Sequence, residues 1–405
     1  MSPVVVTGLG TVLSCGAGAE ALAAALEAGE PALAEIDRSA GQHPPRASRL
    51  AALAQHVDLS PWLAPGRARR MSWPSRYAVA AATLALDSAR LPAEARAGGT
   101  LAVALGTAFG TARYAEEMVR AILLQGPEAA SPFHFSESVA NAPAAQVAIA
   151  CAARGANVAV TQREAGPPLA VALAAREVEL GRCDWALAGA TEEINPLVHA
   201  VLARFRALAR PEADGGEAAR PFDRRRTGFL AAEGSSVLLL EREEEARRRG
   251  APLLARVRGW ERGFDPTAAA HGWGRDPRRL ADRLRRGLRR MGLTPDDLDL
   301  VVSGASGSVG GDRLEAGVLR ALWPAGPPPV LAPKAVSGEY AGGQLAAAVL
   351  ALGGRGLAPT AGFAEPDPDL GVTPWAGGPL PPPRRLLASA LAVGGAAAWL
   401  VLEAA

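Results

Sequence analysis

Two distant stretches of the chain share one pattern, in which an apolar segment is followed, later in the chain, by a second apolar segment that ends in glutamate. The first stretch pairs Asp184-Trp-Ala-Leu-Ala-Gly-Ala with Ser236-Val-Leu-Leu-Leu-Glu, and the second pairs Leu386-Leu-Ala-Ser-Ala-Leu-Ala with Ala398-Trp-Leu-Val-Leu-Glu. Each half of the chain would therefore close on a pair of strands, which indicates an internal duplication. We predict an N-terminal half at residues 1–245 and a C-terminal half at residues 246–405, with the joint near residues 243–252.

Apolar, β-branched runs alternate with helical patterns along the whole chain. The first run, Pro3–Thr7, is ended by Gly8-Leu9-Gly10 and predicts a fully buried strand of a parallel sheet. Such alternation is typical of a layered α/β fold. The other predicted strands are 100–105, 156–161, 185–188, 236–240, 253–259, 298–303, 386–391 and 396–402, and the predicted helices are 19–28, 76–89, 168–180, 278–291, 312–322 and 343–352.

Composition argues against several classes of function. The 43 basic and 41 acidic side chains leave a net charge of +2, which disfavours a dedicated nucleic-acid partner. Three scattered cysteines provide neither a disulfide framework nor a CxxC metal site. The start of the chain has no basic signal-peptide region, and the longest nearly apolar run, 386–402, is too short to span a bilayer. We expect a cytoplasmic protein with no membrane partner.

Three cofactor and metal motifs fail on their spacing. Gly8-Leu-Gly10 follows a strand, but Leu13 stands where a dinucleotide-binding turn needs a small residue. The only lysine, Lys334, is not followed by serine or threonine, so no Walker-type phosphate loop exists. The five histidines show no metal-ligand spacing. The sequence therefore predicts neither a cofactor nor a metal.

Six motifs occur in one order along the chain: Val4-Val-Val-Thr-Gly-Leu-Gly-Thr-Val, Asn141-Ala-Pro-Ala-Ala-Gln-Val-Ala-Ile, Pro221-Phe-Asp-Arg-Arg-Arg-Thr-Gly-Phe-Leu-Ala-Ala-Glu-Gly, Asp312-Arg-Leu-Glu-Ala, Pro333-Lys-Ala-Val-Ser-Gly and Val393-Gly-Gly. In order and spacing they resemble the β-ketoacyl synthases, the condensing enzymes of fatty acid and polyketide assembly. The resemblance spans essentially the whole chain, and the block at 221–234 is its most specific part. It implies the thiolase fold, an α/β fold in which two βαβαβαββ halves pack as five layers (αβαβα).

By this resemblance, catalysis needs a cysteine at a helix N-terminus, where the dipole lowers its pKa, and two histidines that stabilise an enolate. Matching the motifs places Glu164 at the nucleophile position, Gly304 at the first histidine position and Glu339 at the second. Cys151 is an alternative nucleophile, but the β-branched segment after it predicts a strand where a long helix is required. The resemblance therefore implies that all three catalytic side chains are replaced.

A carboxylate at Glu164 holds no acyl group as a stable thioester, and a second carboxylate at Glu339 would oppose a nearby enolate. The chain thus resembles the chain length factor, the β subunit of type II polyketide ketosynthases. That resemblance implies a heterodimer with a catalytic ketosynthase α subunit, a shared tunnel that sets polyketide length, and an acyl carrier protein as a further partner. Two alternatives stay open, a malonyl-carrier-protein decarboxylase for priming and a non-catalytic acyl-binding homodimer, so enzymatic activity itself is undecided.

The same resemblance implies that a helix following residue 110 closes the far end of the tunnel. Ala112, Ala115 and Val119 stand at i, i+3 and i+7, which places them on one helix face, with Tyr114 and Met118 adjacent. Small residues there would leave room for a long chain. The alternative is a helix that uses small residues only for close packing.

Two further sets of residues follow from the motifs. Phe229 and Val393 match gate-like positions beside the nucleophile, although Val393 replaces an aromatic residue. Asp312, Glu315 and Lys334 match a structural polar cluster. Because an isolated buried lysine is costly, we expect Lys334 to pair with a carboxylate.

Overall fold

The computed structural model of the protein describes residues 3–44, 46–212 and 216–405. Its strands are β1 (Val4–Leu13), β2 (Gly16–Ala17), β3 (Ala34–Glu35), β4 (Leu50–Ala51), β5 (Leu101–Gly106), β6 (Asn157–Val160), β7 (Trp185–Glu192), β8 (Gly234–Arg242), β9 (Ala255–Phe264), β10 (Leu300–Val302), β11 (Val330–Leu331), β12 (Arg385–Leu391) and β13 (Ala396–Glu403). Its helices are α1 (Ala19–Ala28), α2 (Pro65–Ala68), α3 (Trp73–Ser88), α4 (Ala93–Gly98), α5 (Ala112–Gln125), α6 (Pro132–Glu137), α7 (Ala142–Cys151), α8 (Gly166–Glu179), α9 (Pro196–Arg204), α10 (Glu243–Arg248), α11 (Pro277–Arg290), α12 (Val309–Leu322), α13 (Lys334–Ser337) and α14 (Gly343–Leu352). The predicted alternation of strands and helices is confirmed.

The strands form two half-sheets that share one order and one set of directions. The N-terminal half-sheet runs β1-β8-β7-β5-β6, and the C-terminal half-sheet runs β9-β13-β12-β10-β11. In each half, the first two neighbouring pairs are antiparallel and the last two are parallel. The halves join where Val4–Val6 pair antiparallel with residues 255–257. This repeated topology confirms the duplicated, thiolase-type arrangement.

Five layers follow from the alternation of side chains between the two faces of each half-sheet. On β8, Leu238 and Leu240 face the central layer, whereas Leu239 faces the opposite side. The central layer holds α8 and α14, and both helices contact strands of both half-sheets. Helices α3 and α7 cover the N-terminal half-sheet, and α11 and α12 cover the C-terminal one. The central helices therefore place their N-termini deep in the molecule.

The first strand differs from its prediction in length and in the direction of its neighbours. It is fully buried, as predicted, but it continues to Leu13 and pairs antiparallel with β8 and β9. Gly8 and Gly10 lie inside the strand because α3 packs directly against it. An added Cβ would lie 2.0 Å from the carbonyl oxygen of Ala85 or Ala81. These glycines therefore allow close helix–strand packing and do not end the strand. The division between residues 245 and 246 stays a prediction.

Candidate functional site

Glu164 lies directly before α8, at the position that the sequence predicts for the nucleophile. The chain leaves β6 and makes a 3-10 turn over Arg163–Ala165, in which Arg163 has a φ of 48°. The start of α8 approaches the end of β5 closely because Gly106 has no side chain, and a Cβ there would lie 2.7 Å from the carbonyl carbon of Gly166. This packing holds the Glu164 side chain at a helix N-terminus in the interior, where it is only 5% exposed.

The Glu164 carboxyl group accepts hydrogen bonds from two distant parts of the chain. The backbone N–H of Val393 donates at 3.2 Å, and the hydroxyl group of Tyr340 donates at 3.4 Å. Burial raises the pKa of Glu164 to about 7, and the neighbouring Glu339 carboxylate adds to the rise. Near neutral pH the carboxyl group is therefore protonated for part of the time.

Glu339, at the second histidine position, forms a buried ion pair with Lys334. The lysine thus has the carboxylate partner that its burial requires. The loop carrying Glu339 is strained, because Tyr340 and Ala341 have φ values of 78° and 52°. A cavity of about 20 Å³, room for a single water molecule, is lined by Glu164, Lys334 and Glu339.

Gly304, at the first histidine position, has no space for a side chain. A Cβ on Gly304 would lie 2.6 Å from the carbonyl oxygen of Ser389 on β12. A histidine there would therefore require the backbone to move. The three positions that the resemblance assigns to catalysis hold two carboxyl groups and a glycine, with no thiol and no imidazole.

Asp312 and Glu315 lie one turn apart on α12 and are both buried. Asp312 accepts the backbone N–H groups of Phe222 at 2.8 Å and Ser306 at 3.1 Å. Glu315 accepts two serine hydroxyl groups, at 3.2 and 3.1 Å. Burial raises the pKa of Asp312 to about 7 and also raises the pKa of Glu315, which the charge of Lys334 partly counteracts. The two carboxyl groups tie loops together, while Lys334 takes Glu339 as its ion-pair partner.

A pocket of about 450 Å³ opens at the surface and reaches Glu164. Both gate-like residues predicted from the sequence, Phe229 and Val393, line it. Tyr340 packs edge-on against Phe229 and Phe109, with ring centroids 5.7 and 5.0 Å apart. The Tyr340 side chain that contacts Glu164 thus belongs to a cluster of three aromatic rings that line the pocket.

Tyr340 is a site residue that the sequence analysis missed. It joins Glu164 to the aromatic lining, and burial together with the Glu164 charge raises the pKa of its hydroxyl group well above the usual value. Its position depends on a left-handed backbone at a non-glycine residue, which no sequence pattern indicates. The only available signal was its place directly after Glu339.

Two buried glutamates at the end of β7, Glu192 and Glu193, were also missed. Glu192 accepts the backbone N–H of Ala108 at 2.6 Å, and Glu193 accepts that of Arg113 at 2.8 Å. Burial raises the pKa of Glu192 to about 8 and that of Glu193 to about 7. Together they fix the segment that leads into α5. Two adjacent acids at the end of a fully buried strand were the available signal.

Helix α5 carries the residues predicted to close the tunnel. Ala112, Ala115 and Val119 share one face, but no residue of α5 is buried in this chain, and Val119 is 49% exposed. Tyr114 packs edge-on against aromatic rings of its own chain, and Met118 is half-buried. None of these five residues lines the pocket that reaches Glu164.

Cys151, the alternative nucleophile, lies at the C-terminal end of α7 and is buried. Burial raises the pKa of its thiol to about 11, the opposite of what a nucleophile needs. Within residues 3–44, 46–212 and 216–405, no cluster of three or more His, Cys, Asp or Glu side chains is arranged to hold a metal ion. No helix in those ranges has the length and apolar character needed to cross a membrane.

Comparison with known proteins identifies the family. Residues 1–246 match the family model described as β-ketoacyl synthase, N-terminal domain. The chain is 32% identical over 383 residues to the tetracenomycin polyketide synthase ketoacyl synthase beta subunit of Streptomyces glaucescens, covering 92% of this chain and 90% of that protein. It is 28% identical over 383 residues to 3-oxoacyl-(acyl-carrier-protein) synthase 2 of Vibrio cholerae serotype O1, covering 91% and 90%.

A solved structure, the ishigamide ketosynthase/chain length factor, is similar over 100% of this chain and 99% of that chain, with a TM-score of 0.88 and 26% identity. Sequence and structure thus agree on a ketosynthase scaffold. The chain belongs to the β-ketoacyl synthase family.

Proposed function

We propose that this chain is the non-catalytic β subunit, or chain length factor, of a type II polyketide ketosynthase. The observation that carries the proposal is the buried Glu164 at the N-terminus of α8, whose carboxyl group already accepts the Val393 N–H. The relative named as a ketoacyl synthase beta subunit and the solved ketosynthase/chain length factor support it. A cytoplasmic location and an acyl carrier protein as a further partner belong to the same proposal.

The residues at the site oppose condensation on chemical grounds. An acyl group transferred to the Glu164 carboxylate would form a mixed anhydride, which water hydrolyses, in place of the thioester that a cysteine forms. Decarboxylation of a malonyl group creates an enolate that needs hydrogen-bond donors. Gly304 has no side chain to donate a hydrogen bond. Glu339 has a carboxylate, which accepts rather than donates and which forms an ion pair with Lys334. In the proposed complex, this chain therefore shapes the tunnel, and a partner subunit carries the catalytic residues.

An apolar surface from α5 to β6 supports pairing with a catalytic ketosynthase. β6 ends the sheet, and one of its edges has no strand partner among the residues that the structure describes. Free strand edges beside exposed apolar side chains are typical of protein interfaces. We expect β6 to pair with a strand of the catalytic subunit in an interface above about 2,000 Å². The exposed apolar residues of this surface are Val119, Leu123, Leu124, Phe135, Val139, Ile149 and Val158.

The position of α5 supports a tunnel shared between the two subunits. The helix lies on that apolar surface with no buried residue of its own, so a partner chain would cover it. Ala112, Ala115 and Val119 on its one face would then line the end of the cavity that receives the growing chain. Their small size would set how many atoms the tunnel accommodates.

The pocket that reaches Glu164 favours a second candidate, a non-catalytic protein that binds an acyl group as a homodimer. Its volume of about 450 Å³ lies within the usual range for small-molecule sites. Malonyl-carrier-protein decarboxylation has no such support, because Gly304 and Glu339 stand at the positions of the two histidines that would stabilise the enolate. The oligomeric state in solution distinguishes the two candidates, because the first predicts a heterodimer and the second predicts a homodimer.

Co-expression with a catalytic ketosynthase α subunit and its acyl carrier protein tests the main proposal. Size-exclusion chromatography with light scattering should show a heterodimer, and polyketide should form only when both subunits are present. Replacing the partner's catalytic cysteine should abolish synthesis, whereas Glu164→Ala in this chain should not. A homodimer that ignores the ketosynthase, or a covalent acyl group on this chain in mass spectrometry, would overturn the proposal.

A further inference from the structure

A groove of about 840 Å³ lies at the N-terminal end of α11, beside the end of β9. Arginine dominates its lining, and Phe264 stands at one edge. Five cations against two anions leave a local excess of three positive charges, although the whole chain carries only +2. The charged residues of the groove are Arg262, Arg278, Arg279, Arg283 and Arg286, with Asp276 and Asp282.

Most of these cations have no carboxylate partner. Among the residues that the structure describes, Arg283 pairs with Glu261 at 2.9 Å, whereas the side chains of the other four arginines make neither an ion pair nor a hydrogen bond. A neighbouring groove provides the contrast, since Arg256 there pairs with Glu243 at 2.8 Å. The arginines of the neighbouring groove are all paired with carboxylates, whereas four of the five in the α11 groove are unpaired within the part of the chain that the structure describes.

One acidic residue and two arginines stand at this end of the helix. Asp276 caps α11 by accepting the Arg279 N–H at 3.0 Å, but Arg278 and Arg279 lie in the first turn, which contains no acidic residue. A helix N-terminus carries partial positive charge, so it disfavours cations and attracts anions. Clustered like charges at this end therefore destabilise the free protein and become favourable when an anionic partner binds.

The groove adjoins the mouth of the pocket that reaches Glu164. Phe264 and Asp276 line the groove and stand at the two ends of one loop, whose His271 and Trp273 line the pocket. Phe264 is 58% exposed, so the cationic surface includes an apolar contact point. This combination fits a protein partner with an acidic and partly apolar face.

We propose that the α11 groove is a docking surface for the acidic face of an acyl carrier protein. The proposal rests on the function proposed above and adds the surface at which that partner binds. A carrier protein with acidic helices carries its acyl arm on a phosphodiester, and guanidinium groups bind both carboxylate and phosphate through paired hydrogen bonds. Docking here raises the local concentration of carrier proteins at the complex without requiring chemistry in this chain.

Nucleic acid is the other polyanion that a cluster of arginines attracts. The positive charge here is confined to one groove, between the end of β9 and the first three turns of α11, and the chain as a whole is nearly neutral. A nucleic-acid-binding surface usually extends as a basic stripe on a strongly basic domain. The small, local charge excess therefore favours a compact protein partner.

Surface plasmon resonance with the holo acyl carrier protein tests the proposal, on the assembled complex and on this chain alone. Arg278→Glu with Arg286→Glu reverses two unpaired charges in the groove. Arg247→Glu with Arg248→Glu on α10 reverses two exposed arginines outside it. The groove variant should slow association about tenfold and reduce its dependence on salt, because charges at the edge of an interface act mainly on the association rate. The α10 variant should match the parent.

Size-exclusion chromatography of the same proteins separates this proposal from the proposed function. Failure of the parent chain to assemble with any ketosynthase would count against the proposed function. The binding of the carrier protein to the chain alone would still test the groove in that case. Carrier-protein binding that is equal in the groove variant and the parent overturns the docking proposal. Binding of a fluorescent DNA duplex that exceeds carrier-protein binding, and that the groove variant loses, would assign the groove to nucleic acid and overturn it as well.

Discussion

Glu164→Gln removes a titrating group from the interior while keeping its shape. Glutamine can keep both contacts, because its side-chain oxygen can accept the Val393 N–H while its NH2 group donates to the Tyr340 hydroxyl oxygen, which reverses that second hydrogen bond. The variant side chain stays neutral at every pH, whereas the parent side chain ionises. A comparison of the two proteins therefore isolates the free energy of ionising a carboxyl group at this site.

The pKa of Glu164 sets the size of the effect. Burial and the Glu339 charge raise it from 4.5 to about 7, so the folded protein holds the proton more tightly than the unfolded chain. The free energy of unfolding of the parent therefore falls as pH rises from about 4.5 to about 7, and this contribution is constant above that range. Each tenfold difference in proton affinity is worth about 1.4 kcal/mol, which makes the loss about 3 kcal/mol by pH 8.

Urea unfolding at pH 5 and pH 8, followed by tryptophan fluorescence, measures this difference. The two proteins should be similar at pH 5, and the glutamine variant should be more stable by about 3 kcal/mol at pH 8. Other buried acids such as Asp312 and Glu192 titrate in both proteins, so their effects cancel in the comparison. Glu20→Gln, which changes an exposed glutamate on α1, should show no such gain. A variant with no advantage at pH 8 would refute the reasoning.

Three further predictions concern charge pairing, chain length and assembly. Lys334→Met should lower the free energy of unfolding by about 3–5 kcal/mol because it leaves Glu339 buried without its partner, and adding Glu339→Gln should restore most of that loss in urea unfolding. Ala115→Phe should shorten the product of the assembled complex, read by mass spectrometry, because overpacking a tunnel end costs about 1–3 kcal/mol. Leu123→Asp should prevent assembly with a catalytic ketosynthase in size-exclusion chromatography while leaving the chain folded, since Leu123 is 78% exposed.

Each of these variants has a matched control. Arg355→Met breaks an exposed ion pair with Glu27 and should cost at most about 1 kcal/mol. Ala121→Phe lies on α5 but off the face of Ala115, so product length should not change. Val309→Asp introduces the same charge on an apolar residue that is 44% exposed on α12, and assembly should continue. A variant that behaves like its control would contradict the corresponding assignment.

The hydrophobic pattern predicted helices most accurately where glycine bounds an apolar run. The predictions 19–28 and 343–352 have the same bounds as α1 and α14, and both helices are alanine-rich and flanked by glycine. The same pattern did not predict whether neighbouring strands are parallel or antiparallel. A strand buried on both faces, such as β1, has one composition whether its neighbours are parallel or antiparallel.

Helices α6 and α7 were not predicted at all, and their surroundings explain why. Hydrophobic periodicity indicates which side chains a chain buries within itself. Phe135 on α6 and Ile149 on α7 are exposed, so apolar positions there do not mark a core-facing stripe. Where apolar residues face outward, the hydrophobic periodicity of the sequence no longer indicates the secondary structure of that segment.

The motifs located the candidate site but not its contacts. Glu164, Gly304 and Glu339 were placed from motif spacing alone, because each lies at a fixed distance from a recognisable segment. The partners of Glu164 lie far along the chain, with Tyr340 176 and Val393 229 residues away. Only the folded packing of the two halves brings these groups together, and a buried pKa near 7 depends on that packing.

The changed positions of the site compensate one another, which limits how the site can change further. Glu164 and Glu339 would repel each other as carboxylates, but Lys334 pairs with one of them and a proton neutralises the other for part of the time. Glu339→His would leave Lys334 buried without its carboxylate, and Gly304→His would place a Cβ 2.6 Å from the Ser389 carbonyl oxygen. Glu164→Cys would supply a thiol but neither of the two histidines that the resemblance requires for an enolate. Under the proposed function, we expect none of these single substitutions to give condensation and the two to histidine to reduce stability as well, so condensation would require all three positions and the backbone beside Ser389 to change together.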